Sequence, residues 1–410
     1  MIPEKPILTH WASWAWSRRF QVYFAINTIG LMIFLGGLLW TPHFRTGTDL
    51  LLVLTLCLLW PTIRYFPVAW PQHKIWILGL LSFGLYQAGY FWIDGGTLHQ
   101  LDRPMRYAIG AFIFVHLLRT GFSKPLFWTA VLLGTLITSV LTLQEYFVSG
   151  TSRASLFHNP ITLGNALVIY ALLTLYQATQ WRNPGLVVVF ALVGVLGVVA
   201  TLTTGTRGVW VTLFIAGLGL MAWLVVRAKH KRMMAGLIGA LIGISTWVAI
   251  TQVSFIENRI QNTRQEIQSI RSGDLNNSIG LRLQMWHTGL YVARQHPLVG
   301  NASGYVQQAE YFIAEQGYYP NVLASFSHLH NQLLDTQVKL GAIGLFSLML
   351  MYLGIFWGLK LPDLVAGLIV FVSYFAGGLT QAVLSHGVGI LLLIVIASAL
   401  RVLGNQPEKV

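Results

Sequence analysis

The sequence predicts an all-α integral membrane protein with about twelve spanning helices and one large helical loop on the outer side, between spans nine and ten. Three observations carry that expectation. Of 410 residues, 55% are hydrophobic and 10% charged, well below the roughly 25% charged residues of soluble domains. Apolar runs recur along nearly the whole chain, each close to the ~20 residues that cross a bilayer as a helix. A single long polar stretch, about 252–337, interrupts them.

Taken in order, the candidate spans are about 20–40, 50–66, 75–93, 105–119, 126–148, 160–178, 186–203, 207–226, 233–251, 338–358, 362–380 and 384–403. The chain divides accordingly into spans one to nine (1–251), the outer loop (252–337) and spans ten to twelve (338–410). No cleavable signal peptide is evident, because Arg18 and Arg19 precede a full-length apolar run. The eighth span begins at Arg207, directly after Thr-Thr-Gly-Thr, and a helix start leaves N–H groups free for an anion. Asp49 fits an N-cap for the second span, with a catalytic base as the competing reading. Cys57 is a lone thiol in an apolar run, so no disulfide forms within the chain.

Inside the loop, Ile256, Ile260, Ile267 and Ile270 repeat at helical spacing through a charged segment. They predict an amphipathic helix, on the membrane or packed on other spans. A second helix is expected from about Ser278 to His296, stopped by Pro297, with Ile279, Leu283, Trp286 and Leu290 as its apolar stripe.

The formal net charge is +13, from 26 Lys/Arg and 13 Asp/Glu. Read alone it suggests a nucleic-acid binder. The alternation of spans distributes it differently. With the basic loop Arg227–Arg232 in the cytoplasm, both termini fall there, and that side holds 15 basic against 3 acidic residues, +12. The outer side holds 11 basic and 10 acidic residues, +1. The charge is thus an orientation signal that meets anionic lipid headgroups, and no nucleic-acid partner is expected.

Several chemistries lack their signature. There is no GxxxxGKS, HExxH or GxSxG, no pair of neighbouring carboxylates and no Asp-x-Asp for a divalent cation. Glu145, near the outer end of span five, is the main intramembrane acid. Arginines stand out instead. Arg153, Arg207 and Arg282 sit at outer positions that ordinarily avoid them, and guanidinium groups bind phosphate by paired hydrogen bonds. The competing reading of each is snorkelling or a structural ion pair. A second cluster, Ser325-Phe-Ser-His-Leu-His-Asn-Gln, places His328 and His330 two apart, on different faces of a helix capped by Ser327. That spacing disfavours a metal pair, so no metal site and no cofactor is expected. A histidine at a helix N-terminus stays neutral and suits a general base.

Four segments, in this order, resemble the O-antigen ligase and polymerase superfamily of bacterial envelope enzymes: Arg153-Ala-Ser-Leu-Phe-His-Asn-Pro-Ile-Thr-Leu-Gly164, Leu202-Thr-Thr-Gly-Thr-Arg-Gly208, Arg282-Leu-Gln-Met-Trp286 with His296-Pro-Leu-Val-Gly300, and His328-Leu-His-Asn-Gln-Leu-Leu334. The first departs from relatives, which often place a glycine within Ala154-Ser155-Leu156. The resemblance implies a GT-C-like glycosyltransferase of the inner membrane, acting at the periplasmic face in lipopolysaccharide biosynthesis. Its donor is a glycan on undecaprenyl diphosphate and its acceptor, for a ligase, the lipid A-core. It implies catalysis by Arg207, Arg282 and His330 without a metal. Arg153, His328, Asn331 and Trp286 are expected to contact substrate, and attack opposite the leaving group makes the transfer inverting. A polymerase or protein O-oligosaccharyltransferase is the alternative within the superfamily, and a lipid-linked solute transporter the alternative outside it.

Overall fold

The computed structural model describes residues 18–43, 45–93, 98–227, 253–318, 328–361 and 363–405. The expected ninth span, Ser327 and the basic loop beyond Arg227 lie outside the described residues. Described residues form helices and no strands: α1 Arg18–Gly37, α2 Arg45–Cys57, α3 Leu59–Ile93, α4 Leu98–Thr120, α5 Lys124–Phe147, α6 Pro160–Ala178, α7 Pro184–Thr203 and α8 Arg207–Arg227. The polar stretch supplies α9 Val253–Arg271, α10 Ser278–Gln295 and α11 Tyr305–Glu315, followed by α12 Gln332–Phe356, α13 Asp363–Gly378 and α14 Gly387–Leu403.

Stretches within α1, α3, α5, α6, α7 and α12 are long and apolar enough to cross a membrane, and α8, α13 and α14 supply shorter apolar helices. The chain is a multi-pass membrane protein on these grounds. The expected second and third spans have different bounds. α2 stops at Cys57, because Pro61 has no N–H to give the Cys57 carbonyl. The rest of that run joins α3, a 35-residue helix with Pro67 and Pro71 inside. Asp49 lies within α2 and is exposed, so it is not the N-cap that the sequence suggested.

The bundle is built around α6 and α14, both buried along most of their length. α6 packs on α7, α8 and α13, while α14 packs on α4 and α13. α3 crosses α12 where a Cβ on Gly79 would stand 2.4 Å from Cα of Met351. Absent side chains let the two backbones touch, as in other membrane helix pairs.

α12 begins six residues before the expected tenth span and breaks at Gly341 (φ 63°, ψ −166°). The segment after α10 enters that break. Ala342 N–H donates to the Pro297 carbonyl (2.9 Å) and Ile343 N–H to that of Leu298 (3.1 Å), while the Val338 carbonyl accepts from Asn301 N–H (2.9 Å). The hydroxyls of Tyr86 and Tyr90 bond the carbonyls of Val299 and Gly300 from α3. Groups freed by the break are therefore satisfied, as buried backbone requires.

Two amphipathic readings separate here. In α9, Ile260 and Ile267 are exposed and Ile270 is half-buried, so the middle of its apolar stripe is open. In α10 the expected stripe holds only in part: Ile279 and Trp286 are half-buried, with Trp286 packed on the core of the loop. Leu283 and Leu290 are exposed, and the buried face is Gln284, Met285, Thr288, Gly289, Val292 and Ala293. Small residues prevail because the 328–331 segment comes close: a Cβ on Gly289 would lie 2.8 Å from Leu329.

Candidate functional site

The site begins at the junction of α7 and α8. Gly205 turns the chain at φ 60°, and α8 starts at Arg207. The Thr206 hydroxyl donates to the Thr204 carbonyl (3.2 Å) and receives Nη2 of Arg153 (2.9 Å), so it does not cap α8. Next to Arg207, a Cβ on Gly208 would fall 2.3 Å from Oγ1 of Thr380. Only glycine lets the 379–386 turn sit against the head of α8.

Arg207 reaches across to α9. Its Nη2 contacts Oε1 of Glu266 at 2.9 Å, and its Nη1 donates to Oγ1 of Thr263 at 2.9 Å. Arg282 lies in the second turn of α10, whose N-terminus is capped by Asn277. Burial and the neighbouring positive charge of Arg207 lower the Arg282 pKa, while Glu266 opposes them. Arg207 thus holds the Glu266 carboxylate, and Arg282 lies within electrostatic reach of both.

His330 is held on all sides. It sits at φ 49°, a left-handed conformation uncommon for a side chain larger than glycine. Before it, Leu329 is fully buried; its N–H donates to Asp335 (3.1 Å), and its carbonyl accepts from the Trp286 indole (2.9 Å). After it, the Asn331 side chain accepts from the N–H groups of Leu333 and Leu334. The N-cap of this helix is therefore Asn331, and His328 and His330 precede the helix. Their rings meet edge to face at 4.4 Å, so the expectation that helical spacing points them apart is corrected.

The His330 imidazole pairs its Nδ1 with Oε1 of Gln381 at 2.5 Å. An amide oxygen only accepts, so Nδ1 carries the proton and Nε2 keeps its lone pair. Nε2 of Gln381 in turn lies 3.2 Å from Nε2 of His386, and the His328 ring meets that of His386 edge to face at 5.6 Å. Burial lowers the His330 pKa; the Gln381 bond raises it and Arg282 lowers it. His328 is pulled down to about 4, first by burial and then by His330. Both rings are neutral at pH 7.

The residues expected to act together are arranged as follows. Arg207 pairs with Glu266, Arg282 is within electrostatic reach of Arg207, Glu266 and His330, and Trp286 fixes the His330 segment. Asn331 spends its oxygen as a helix cap. Arg153 bonds the Thr204 carbonyl and Thr206, which ties its loop to the segment leading into Arg207. Glu145 holds that loop, accepting from the N–H groups of Ser155 and Leu156 (3.0 and 2.8 Å). Leu156 takes φ 52°, a conformation in which glycine is the easier residue. Among the described residues, no group of three or more His, Cys, Asp or Glu is arranged to hold a metal ion.

Gln381, His386 and Glu266 were missed in the sequence. A Gln and a His bracketing the short break between two apolar runs, Gln381-Ala-Val-Leu-Ser-His386, were a readable signal for the first two. Glu266 resembles any solvated charge until α9 folds over α8.

Comparison with known proteins gives two findings. Residues 192–349 match the family model described as O-Antigen ligase. The match spans Arg207, Arg282, Trp286, His328, His330 and Asn331 and leaves out Arg153, Gln381 and His386. The chain is also 25% identical over 315 residues to an uncharacterized protein of Haemophilus influenzae, covering 72% of this chain and 78% of the relative.

Proposed function

We propose that this chain, which belongs to the O-antigen ligase superfamily, transfers a glycan from undecaprenyl diphosphate to the lipid A-core sugar of lipopolysaccharide. The reaction takes place at the periplasmic face of the bacterial inner membrane, with both termini cytoplasmic and twelve spans in all. Members of this superfamily are glycosyltransferase-like enzymes that act on lipid-linked glycans, and the finer assignment is our reading.

One observation carries it: Arg282 lies within electrostatic reach of both the Arg207–Glu266 ion pair and His330. Two neighbouring guanidinium groups, one of them already holding a carboxylate in the resting protein, suit the two phosphates of the donor. In the transfer, His330 Nε2 takes the proton of the acceptor hydroxyl. The hydroxyl oxygen bonds to the anomeric carbon from the face opposite the leaving group, and the bond from that carbon to the diphosphate oxygen breaks with inversion. Charge grows on the diphosphate as the bond lengthens. Fixed guanidinium groups stabilise that state more than the ground state. Loss of either arginine costs roughly 3–4 kcal/mol of barrier, about 10²–10³ in rate.

The test is transfer by purified protein from lipid-linked glycan to lipid A-core, read on gels. Arg207→Ala, Arg282→Ala and His330→Ala are expected to abolish transfer in folded protein. Full activity in all three overturns the assignment. Elongation of a second lipid-linked repeat in place of lipid A-core identifies a polymerase.

A further inference from the structure

Helix α9 grips Arg207 with one side only. Thr263 and Glu266, which bond its guanidinium group, lie about one turn apart on that side. The rest of the helix surface divides into two stripes of different chemistry. Ile260, Arg264, Ile267 and Arg271 follow at i, i+4, i+7 and i+11, and all four are exposed. At about 100° per residue they fall within a sector of about 60°. Gln261, Gln265 and Gln268 form the neighbouring stripe, which is also exposed, polar and uncharged. Among the described residues, neither Arg264 nor Arg271 belongs to an ion pair.

The first stripe suits one kind of surface. Exposed isoleucines on a helix that already has a packed side are unfavourable in water. A layer of phosphate headgroups over acyl chains satisfies both residue types. The isoleucines reach the acyl boundary, and the arginines lay their apolar stems along it and meet the phosphates. A protein partner would need carboxylates set among apolar side chains at matching one-turn spacing, whereas a bilayer surface offers both chemistries along its whole width. The glutamines suit the side turned to water.

The anchoring of α9 puts that surface within reach. Arg207 is the first residue of α8, an apolar helix whose Val211, Phe214 and Leu218 are exposed in the turns that follow. A charged residue at the end of such an apolar helix lies at the membrane boundary. A helix tied to Arg207 through Thr263 and Glu266 lies at the same level.

We infer that α9 is an interfacial helix. Ile260 and Ile267 enter the headgroup–acyl boundary, Arg264 and Arg271 bind the phosphates of an anionic lipid surface, and the helix so held seats Glu266 on Arg207. The inference rests on the chain being a membrane protein and not on the glycosyl-transfer reading, and its test involves no transfer.

The experiment is depth measurement by spin-label EPR on the full-length protein in nanodiscs, in a Cys57→Ala background because Cys57 is an exposed thiol. A nitroxide is attached in turn through Ile260→Cys, Ile267→Cys, Gln261→Cys and Gln268→Cys, all at exposed positions. Collisions with oxygen, which partitions into lipid, are compared with those of a water-soluble nickel chelate. The discs contain phosphatidylcholine alone or an equimolar mixture with phosphatidylglycerol. Labels at 260 and 267 are expected to give an oxygen-to-nickel ratio severalfold above that at 261 and 268. With the label at 267, phosphatidylglycerol raises the ratio further, and Arg264→Gln together with Arg271→Gln removes that rise. The proposal is overturned if both stripes report the same ratio, or if phosphatidylglycerol changes nothing in protein that keeps both arginines. Shielding of the 267 label from both reagents overturns it as well, because it identifies a protein partner, such as a second copy, on the stripe.

Discussion

Replacing Gln381 by Glu puts a carboxylate where an amide oxygen now sits 2.5 Å from Nδ1 of His330. Two unit charges at that separation attract by ~1.7 kcal/mol at the dielectric of water and about twice that at half the dielectric. At 1.36 kcal/mol per unit, the imidazole pKa rises by about 1 to 2.5 units. The sign matters. In wild type, burial holds His330 below its ordinary 6.5, so the base is unprotonated at neutral pH and is lost only as the pH falls through that lowered value. In Gln381→Glu, protonation sets in at higher pH. The acid limb of kcat/KM is expected to move up by the same 1 to 2.5 units, with the rate at pH 7 falling and recovering at pH 9. The assay is the pH profile of glycan transfer by purified protein. Gln381→Leu, which removes the acceptor without adding charge, loses about tenfold or more at all pH values, because Nε2 is no longer kept bare. An unmoved acid limb in Gln381→Glu refutes the claim that His330 is the titrating base.

Two further outcomes follow from the geometry. Glu266→Gln removes the carboxylate that Arg207 grips at 2.9 Å and that a donor diphosphate must displace; donor Kd is expected to drop severalfold, and an increase contradicts the competition. Gly341→Ala places a Cβ 2.4 Å from the Leu298 carbonyl at φ 63°; it costs about 3 kcal/mol or more and lowers Tm in detergent, whereas an unchanged Tm contradicts the docking of the 297–301 segment into the helix break.

What the sequence makes legible follows from how local each cause is. Apolar runs mark helices α5 to α8 to within a few residues, because span length is a property of the run itself. The break at Cys57 was harder to place, since Pro61 acts on a carbonyl four residues back inside an unbroken apolar stretch. The buried face of α10 was read only in part, because bulky residues dominate the period, while Thr288, Gly289 and Ala293 do the close packing. The two histidines carried a clear signal, but their relation did not: helical spacing separates them, whereas the helix starts only after Asn331. Gln381 joins His330 from 51 residues away, a pairing that no local pattern reveals.

The central claim is that Arg207 and Arg282 hold the donor diphosphate while His330 acts on the acceptor. Equilibrium binding of undecaprenyl diphosphate to wild type, Arg207→Ala, Arg282→Ala and His330→Ala tests it most directly. The account predicts affinity lost by about 10- to 100-fold in each arginine variant and retained in His330→Ala, which nonetheless transfers nothing. Equal binding by all four proteins contradicts it.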